Sequence, residues 1–293
     1  MPELPEVETV RRGLERLVVG RRIERCRVLT AKSFSPGDGA VVEGAVVTGA
    51  RRRAKLLALD LDNGLVLLVH LKMTGQLVVR GRESWGAGHP SDSLVDALPD
   101  RSTRVIFDLD DGSRLFFNDQ RKFGWMRCLP AADAAELEFV KRLGPEPLDA
   151  NPWPEFRRRA RRHERAVVKA VILDQSVVAG IGNIYADEAL WAARVHPSSR
   201  VADLSDRKLR AILDAARAVM EESIELGGST DRNYVDAEGK RGAYLDFAKV
   251  FRREGQACPR CGGAIVKTRV AGRGTHLCPR CQRLRRASGP GSA

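Results

Sequence analysis

The sequence predicts a multidomain α+β protein with a β-rich N-terminal half, a helical middle and a small metal-binding module near the C-terminus. Two dipeptides, Asn63-Gly64 and Asp111-Gly112, each separate a pair of apolar runs. Both dipeptides are typical of tight β-hairpins, because their residues tolerate positive φ. The stretch 203–226 has apolar residues at helical spacing, and four cysteines lie together near the C-terminus.

The N-terminal stretch MPELPEVETV predicts a helix that begins a few residues into the chain. Its apolar residues at helical spacing are Val7, Val10, Leu14 and Leu17. Pro5 suits the first turn of this helix, where a backbone N–H has no helical partner. Pro2 and Glu3 stand before the helix, and this pattern assigns them no structural use.

The stretch from residue 20 to about residue 130 is predicted to be mostly β-structure. The two hairpins indicate an antiparallel sheet or a sandwich. The stretch 81–102 contains glycine, proline and serine without a clear period, so it is predicted to be a long loop.

Changes in composition predict the domain boundaries. The predicted segments are a β-rich domain over 1–130, a proline-rich linker over 131–154, a helical domain over 155–250, a cysteine-rich module over 251–283 and a basic flexible tail over 284–293. Within the helical domain, the Gly-rich and polar stretch at about 227–247 is predicted to be a loop.

The charge distribution favours a polyanionic partner. The formal net charge is +12, and residues 251–293 hold ten Lys and Arg against a single acid, Glu254. A basic module of this kind suggests nucleic acid, although a solubilising surface is an open alternative. The sequence has no apolar run near the length of a membrane span and no signal peptide, so we expect a cytosolic protein without a membrane partner.

The cysteine spacing is the strongest single motif. Cys258, Cys261, Cys278 and Cys281 form C-x2-C-x16-C-x2-C, which presents four thiolates to one ion and predicts a zinc site. Four sulfur ligands leave no open position, so the predicted Zn²⁺ is structural. The remaining cysteines, Cys26 and Cys128, are predicted to be small core residues.

Two further features place polar groups at turns. Between the cysteine pairs, AIVKTRV and THL read as two strands joined by the turn AGRGT. Arg273 is predicted at the tip of this hairpin, between two glycines, where it can reach a phosphate. In AGIGNIYADEALW, Asn183 follows a glycine-flanked turn and is predicted to cap a helix that could bind a phosphate. The second motif by itself is equally compatible with an ordinary capped helix.

Considered together, the motifs resemble those of bacterial formamidopyrimidine-DNA glycosylase. The motifs, in chain order, are MPELPEVE, RRRAK, HLKMTGQL, NDQRKFG, GIGNIYADEAL, GGST and the four-cysteine finger. The resemblance spans nearly the whole chain, and only 81–102 and the tail after Arg283 look peculiar to this sequence. It implies an N-terminal β-sandwich with flanking helices, a C-terminal helix–two-turn–helix domain and a zinc-finger hairpin with four cysteine ligands.

The resemblance also implies an activity and site residues. The implied enzyme is a monomer in the cytoplasm, associated with the nucleoid of a bacterium, that excises oxidised purines such as 8-oxoguanine and formamidopyrimidines from duplex DNA and cleaves abasic sites. The implied catalytic residues are Pro2 as nucleophile, Glu3 as acid and base, Lys55 and Arg273. The implied DNA-binding residues are Met73, Arg121 and Phe123, which fill the gap left by an extruded base, and Lys169, Asn183 and Arg273, which hold the backbone.

The chemistry of an N-terminal proline agrees with this role. An α-amino group has a pKa of about 8, so near neutral pH a useful fraction is uncharged, unlike a lysine at about 10.4. A neutral secondary amine can attack sugar C1′ and collapse to a cationic iminium, and this electron sink allows the 3′ and then the 5′ phosphate to be eliminated. Glu3 is adjacent and can move protons.

Two positions depart from the family pattern. Lys72 replaces the usual small residue before Met73, and Lys122 stands where arginine is common. Lysine keeps the charge of arginine but loses its bidentate geometry, so we expect an altered preference for the opposite base with activity retained.

Two alternative functions stay open at this point. The first is an endonuclease VIII-like glycosylase for oxidised pyrimidines. The PELPEVE start and the long Gly-rich loop favour the purine enzyme over this alternative. The second is a catalytically silent protein that binds damaged DNA. The joint presence of Pro2, Glu3 and Lys55 argues against this alternative.

Overall fold

The fold was analysed in a computed structural model, which describes residues 2–89, 91–94, 96–228 and 244–284. The chain divides into two compact units. The first comprises Met1–Lys141 and Ser223–Leu245, and the second comprises Arg142–Glu222 and Asp246–Ala293. Most of the predicted Gly-rich loop and nearly all of the predicted basic tail lie outside the described residues.

The first unit begins with helix α1, Leu4–Leu17, which has the predicted proline in its first turn. Its N-cap is Glu3, a structural role that was not predicted. Its apolar face is buried, with Val7, Val10 and Leu14 fully covered. A Cβ placed on Gly13 would lie 2.0 Å from the indole ring of Trp85. The helix therefore approaches this ring so closely that only glycine fits at the contact.

The described part of the first unit contains two five-stranded sheets, with strand orders β1-β8-β9-β6-β7 and β2-β10-β5-β4-β3. The strands are β1 Ile23–Val28, β2 Phe34–Ser35, β3 Val47–Arg53, β4 Leu56–Leu61, β5 Leu65–His70, β6 Gly75–Arg80, β7 Ser84–Gly88, β8 Thr103–Leu109, β9 Arg114–Asp119 and β10 Trp125–Pro130. Apolar side chains of both sheets and of α1 form one buried cluster. This is the predicted β-sandwich.

Both predicted hairpins are present. Strands β4 and β5 pair antiparallel, as do β8 and β9. Gly64 has φ +80° and Gly112 has φ +78°, so each turn uses the left-handed conformation that glycine adopts without strain.

The prediction of a long loop over 81–102 is wrong in part. Residues Ser84–Gly88 form strand β7, which pairs antiparallel with β6 at the edge of the first sheet. The sequence SWGAG has neither alternation nor branched side chains, so its strand signal is weak. Pairing with the preceding strand β6 and burial of Trp85 against α1 form this strand, and the contact with α1 comes from a distant part of the chain.

The predicted linker 131–154 also contains regular structure. Two one-turn helices, α2 Ala131–Ala134 and α3 Glu138–Lys141, follow directly after β10. Ala134, Phe139 and Val140 pack with a small cluster formed by buried leucine and valine side chains of β4 and β5. This stretch therefore contributes to the packing of the second sheet.

The second unit is helical up to its last segment. Its helices are α4 Trp153–Ala160, α5 Val168–Leu173, α6 Asn183–Ala192, the greater part of α7 Asp206–Glu225 and the last two residues of α8 Tyr244–Phe247. The segment between α5 and α6 contains a turn closed by the Val177 N–H and the Asp174 carbonyl at 2.9 Å, followed by Gly180 at φ +94°. The predicted apolar face of α7 is buried at Leu209, Ile212 and Met220.

The C-terminal segment of the second unit forms the predicted hairpin. Strands β11, Val266–Val270, and β12, Arg273–Leu277, pair antiparallel. Ala271 and Gly272 form the turn, with φ +49° and +75°. Arg273 is therefore the first residue of the returning strand, opposite Val270, and not the tip of the turn as predicted, because a two-residue turn closes the hairpin before it. Among the described residues, no helix combines the length and apolarity that crossing a membrane requires.

Candidate functional site

The predicted site residues fall into two groups, one in each unit. Pro2, Glu3, Lys55, Met73, Arg121 and Phe123 belong to the first unit, whereas Lys169, Asn183, Arg273 and the four cysteines belong to the second.

Pro2 and Glu3 lie buried at the N-terminus of α1. The side chain of Glu3 accepts the Glu6 N–H, and the Glu3 N–H donates to Glu6 Oε2 at 2.7 Å, which is a reciprocal capping box. The positive end of the helix dipole favours a carboxylate at this point. Glu3 is therefore held in one orientation beside Pro2.

The end of α7 contributes glycines to the same region. Gly228 belongs to the first unit and has φ +90°, and a Cβ placed on it would lie 3.5 Å from Glu6. Gly228, the second glycine of GGST, thus lies next to Glu6 of the capping box. Glu6 was not among the residues predicted from the sequence, although the spacing E-x-x-E was a signal for it.

Lys55 lies in the turn between β3 and β4 and is only 8% exposed. Its charge acts on a residue that the sequence analysis missed, His70, at the end of β5. Burial first, and then the positive charges of Lys72 and Lys55, lower the pKa of His70 to about 3. The imidazole is therefore neutral near pH 7, and its Nδ1 accepts the Lys72 N–H at 3.1 Å.

Two loops that carry predicted DNA-binding residues lie side by side. The first crossover loop, 71–74, connects β5 in one sheet to β6 in the other, and the second crossover loop, 120–124, connects β9 to β10 in the opposite sense. Their neighbouring strands are paired, with Gly75 opposite Asp119 and His70 opposite Trp125. Both loops therefore leave the sandwich at the same edge.

The crossover loops expose the apolar side chains predicted to contact DNA. Met73 is 37% exposed and Phe123 is 53% exposed, which is unusual for large apolar residues. The guanidinium of Arg121 lies 4.8 Å from the centroid of the Phe123 ring, a cation–π distance.

The two departures from the family pattern occupy left-handed backbone positions. Lys72 has φ +50° and Lys122 has φ +58°, one in each crossover loop. A small residue suits position 72 because glycine adopts this conformation without steric cost. The change to lysine at position 72 therefore adds local backbone strain as well as charge.

In the second unit, Asn183 does not cap its helix. The N-cap of α6 is Gly182, and Asn183 is the first helical residue. Its Nδ2 donates to the carbonyl of Gly274 in the hairpin at 3.0 Å. The cap prediction is wrong because a side chain inside the first turn points away from the N–H groups that a cap must reach.

Lys169 is fully buried and also contacts the hairpin. Its Nζ lies 2.6 Å from Asp187 Oδ1, 2.7 Å from Thr275 Oγ1 and 3.2 Å from the Gly274 carbonyl. Asp187 Oδ2 accepts the His276 N–H at 2.8 Å. Asn183, Lys169 and Asp187 thus hold the strand that begins with the exposed Arg273. Asp187 lies within the GNIYADE motif but was not among the residues predicted from the sequence.

The four cysteines form a metal-binding cluster. Their sulfur atoms all lie within 4.8 Å of one another, with 3.9 Å between Cys258 and Cys281 and 3.4 Å between Cys261 and Cys278. Tetrahedral zinc with Zn–S bonds of about 2.3 Å requires sulfur separations of about 3.8 Å. The donor set and its spacing therefore fit one tetrahedral ion.

Trp191 of α6 supports this cluster and was not predicted. Its indole N–H lies 3.4 Å from the sulfur of Cys258, and the Arg260 guanidinium lies 3.9 Å from its ring centroid. Burial raises the pKa of Cys258, but hydrogen bonds from Trp191 and from backbone N–H groups outweigh burial and lower it to about 6. A thiolate is the form that binds a metal ion.

Comparison with known proteins covers both units. Family models match the formamidopyrimidine-DNA glycosylase N-terminal domain over residues 1–126, its H2TH domain over 143–235, and a zinc finger found in FPG and IleRS over 255–284. A formamidopyrimidine-DNA glycosylase of Roseiflexus sp. is 43% identical over 97% of this chain and all of the relative. One of Chloroflexus aurantiacus is 42% identical over 96% of this chain and 98% of the relative.

The chain belongs to the formamidopyrimidine-DNA glycosylase family. Solved structures agree in fold. Lactococcus lactis Fpg in complex with DNA containing an abasic site has a TM-score of 0.84 and 32% identity, covering 96% of this chain and all of that one. A mutant of the same Lactococcus lactis protein with a Fapy-dG containing DNA matches equally well, with a TM-score of 0.84 and the same identity and coverage.

Membership of the formamidopyrimidine-DNA glycosylase family confirms the resemblance stated from the motifs. The match to the N-terminal domain includes Pro2, Glu3 and Lys55 together with both crossover loops. The H2TH match includes Lys169 and Asn183, and the zinc-finger match includes Arg273 and all four cysteines.

Proposed function

We propose that this chain is a bifunctional DNA glycosylase and abasic-site lyase that excises oxidised purines, such as 8-oxoguanine and formamidopyrimidines, from duplex DNA in base excision repair. The observation that carries the proposal is the buried Pro2-Glu3 pair, fixed by the capping box with Glu6 at the start of α1. The family relationship over nearly the full chain supports the same activity.

The proposed reaction begins after removal of Met1, which turns the nitrogen of Pro2 into a secondary amine. This amine attacks C1′ of the damaged nucleotide, the bond from C1′ to the base breaks, and the base departs with a proton. The C1′–O4′ bond then breaks as O4′ takes a proton, which opens the sugar ring and leaves an iminium between C1′ and the Pro2 nitrogen. The iminium withdraws electrons from C2′, so a C2′ proton is lost and the 3′ phosphate leaves, followed by the 5′ phosphate. Glu3 is the group placed to carry these protons.

The proposed DNA contacts differ between the two units. The damaged base must leave the stack, and Met73, Arg121 and Phe123 are exposed on adjacent loops that could fill its place. Arg273 is exposed on the hairpin and could reach the DNA backbone. Lys169 has no exposed surface, so we assign it the positioning of the hairpin in place of the predicted backbone contact.

The proposal includes one structural Zn²⁺ held by the four cysteines. A site with four sulfur ligands keeps no position for substrate, so the ion would keep the hairpin rigid and would take no part in bond breaking. Four reduced thiolates suit a bacterial cytoplasm, and we extend the proposal to a monomer acting on nucleoid DNA there.

Borohydride trapping tests the proposal. An 8-oxoguanine·cytosine duplex incubated with the enzyme and borohydride should yield a covalent protein–DNA adduct, because only an imine is reduced to a stable amine. A matched protein that retains Met1 behind an N-terminal tag should give no adduct, since its Pro2 nitrogen is an amide. Trapping of the tagged protein at the untagged rate would contradict Pro2 as nucleophile and would make Lys55 the first residue to test.

The same assay separates the alternative functions. A catalytically silent damage-binding protein would bind the duplex without any adduct. A pyrimidine-specific enzyme would form its adduct faster on a duplex that contains oxidised thymine than on the 8-oxoguanine duplex. We expect the reverse order of rates.

A further inference from the structure

We propose that Thr74 and Asp119 are positioning residues that join the two crossover loops, so that Met73 and the Arg121–Phe123 pair enter the base stack as one unit. The inference rests on the proposed function, because it concerns how the lesion is extruded before the chemistry.

The register of the sandwich brings the two loops together. Gly75, which follows the first crossover loop, pairs with Asp119, which precedes the second. The other ends of the loops meet at the pair of His70 and Trp125. Strand pairing thus aligns the loops at both ends but leaves the residues between to be held by side chains.

Thr74 and Asp119 supply a hydrogen-bonded link between the loops. The Thr74 hydroxyl donates to Asp119 Oδ1. The Arg121 N–H lies 3.0 Å from Thr74 Oγ1 and 3.2 Å from Asp119 Oδ1, so the first loop and the carboxylate share this donor. Asp119 Oδ2 accepts the Gly124 N–H at 2.6 Å. One carboxylate therefore binds both halves of the second loop and a side chain of the first.

The link is shielded from water. Asp119 has no exposed surface and Thr74 is 8% exposed. The buried side chain of Arg104 donates to the Asp119 carbonyl at 2.8 Å, which fixes the backbone that carries the carboxylate. Hydrogen bonds to a buried carboxylate are stronger than neutral ones, because the surroundings screen them poorly.

The glycines at the ends of the loops lie so close to neighbouring atoms that they restrict movement of the loop ends. A Cβ on Gly124 would lie 2.8 Å from the Phe117 ring and 3.1 Å from Asp119 Oδ2. A Cβ on Gly75 would lie 2.4 Å from the carbonyl of Leu71. Each loop is therefore tightly packed where it leaves its sheet. The exposed Met73 and Phe123 extend from loop ends that share the Asp119 carboxylate.

The first test is a double-mutant cycle that leaves the buried link intact. Met73→Ala and Phe123→Ala change exposed side chains, so neither substitution endangers the fold. If the loops act as one unit, the double variant should excise 8-oxoguanine in single turnover appreciably faster than the product of the two single effects predicts. Strictly multiplicative effects would overturn the proposal.

The second test removes the link itself. Thr74→Val keeps the shape of the side chain but removes the hydroxyl, and it should slow excision of 8-oxoguanine about tenfold, the size expected for one charge-assisted hydrogen bond. Cleavage at a preformed abasic site should change less than about twofold on the same scale, because no base has to be extruded. Thr74→Ser should restore the wild-type rate, and Thr48→Val, at an exposed threonine of β3, is the matched control.

A fluorescent base analogue beside the lesion reports the insertion directly. Wild-type protein should give one fluorescence phase when the loops enter, whereas Thr74→Val should give two phases. Equal slowing on both substrates, failure of Thr74→Ser to restore the rate, or a single phase in Thr74→Val would each show that the loops are not joined through Thr74. Absence of imine trapping by the wild-type protein would instead refute the proposed function. The trapping assay therefore distinguishes failure of the proposed function from failure of the proposal about the loops.

Discussion

The β-sandwich and the zinc-finger hairpin present their exposed side chains by different physical means. The sandwich holds the crossover loops on a large apolar core and on strand pairing at both loop ends. The hairpin has a small cluster of apolar and cysteine side chains, and buried Lys169 and Asp187 hold its second strand. A segment too short to bury a core of its own depends on a metal ion and on buried charges.

The largest effect should come from removal of the metal. Chelation, or replacement of the four cysteines by serine, should unfold β11 and β12, because binding of structural zinc is worth about 10–16 kcal/mol in small fingers and is coupled to folding. Hydrogen exchange should show loss of protection in the hairpin, while the strands of the sandwich keep theirs. Duplex affinity should fall with the hairpin and return when zinc is added back to chelated protein.

Full duplex affinity in the four-serine variant would contradict a metal-dependent hairpin, since the hairpin would then be ordered without its ion. Loss of protection in the sandwich strands would contradict a sandwich that is stable without the ion.

The buried ion pair should give the next largest effect. Lys169→Met leaves Asp187 buried without its cation and should lower the free energy of unfolding of the second unit by about 3–5 kcal/mol. The double variant Lys169→Met, Asp187→Asn should recover a large part of this loss, because no uncompensated charge stays buried. Denaturant unfolding of the single and double variants measures both quantities, and additive losses would show that the pair is not coupled.

The sandwich holds a half-buried, neutral imidazole close to two lysines, in contrast to the paired charges beside the hairpin. The pKa of His70 is lowered to about 3 in the folded protein, so below its unfolded value the unfolded chain binds a proton that the folded chain does not. The contribution of His70 to the free energy of unfolding is therefore fully present above about pH 6.5. It is lost as the pH falls towards 3, by up to about 1.4 kcal/mol per pH unit.

Urea unfolding of the wild type and of His70→Gln between pH 7 and pH 5 checks the sign and the size of this effect. The wild type should lose more stability than the variant over this range, and effects of metal release should cancel in the difference. Parallel pH profiles of the two proteins would contradict the lowered pKa of His70.

The smallest effect should come from the backbone of the first crossover loop. Lys72→Gly removes a left-handed lysine, at φ +50°, and should change the free energy of unfolding by less than about 1 kcal/mol, because relief of strain and greater freedom of the unfolded chain oppose each other. Thermal unfolding measures this change. A loss above about 2 kcal/mol would mean that the Lys72 side chain makes contacts that support the sandwich.

Local sequence signals predicted the elements whose causes are local. The Asn-Gly and Asp-Gly hairpins, helix α1 with Pro5 in its first turn, and the buried face of α7 follow from turn chemistry and from apolar spacing. The cysteine spacing likewise predicted the metal cluster, because two C-x2-C pairs by themselves define a ligand set.

Motifs of short spacing were enough to identify the family, the order of its domains and the metal ligands. The candidate nucleophile Pro2 followed from the family resemblance that these motifs carry. Tertiary structure alone decided that SWGAG pairs as a strand, that Lys169 is buried with Asp187, and that His70 is neutral beside Lys72. It also decided that Thr74 meets Asp119, 45 residues further along the chain. Each of these features depends on burial in the folded protein or on contact with a distant segment, and neither is encoded in a local pattern.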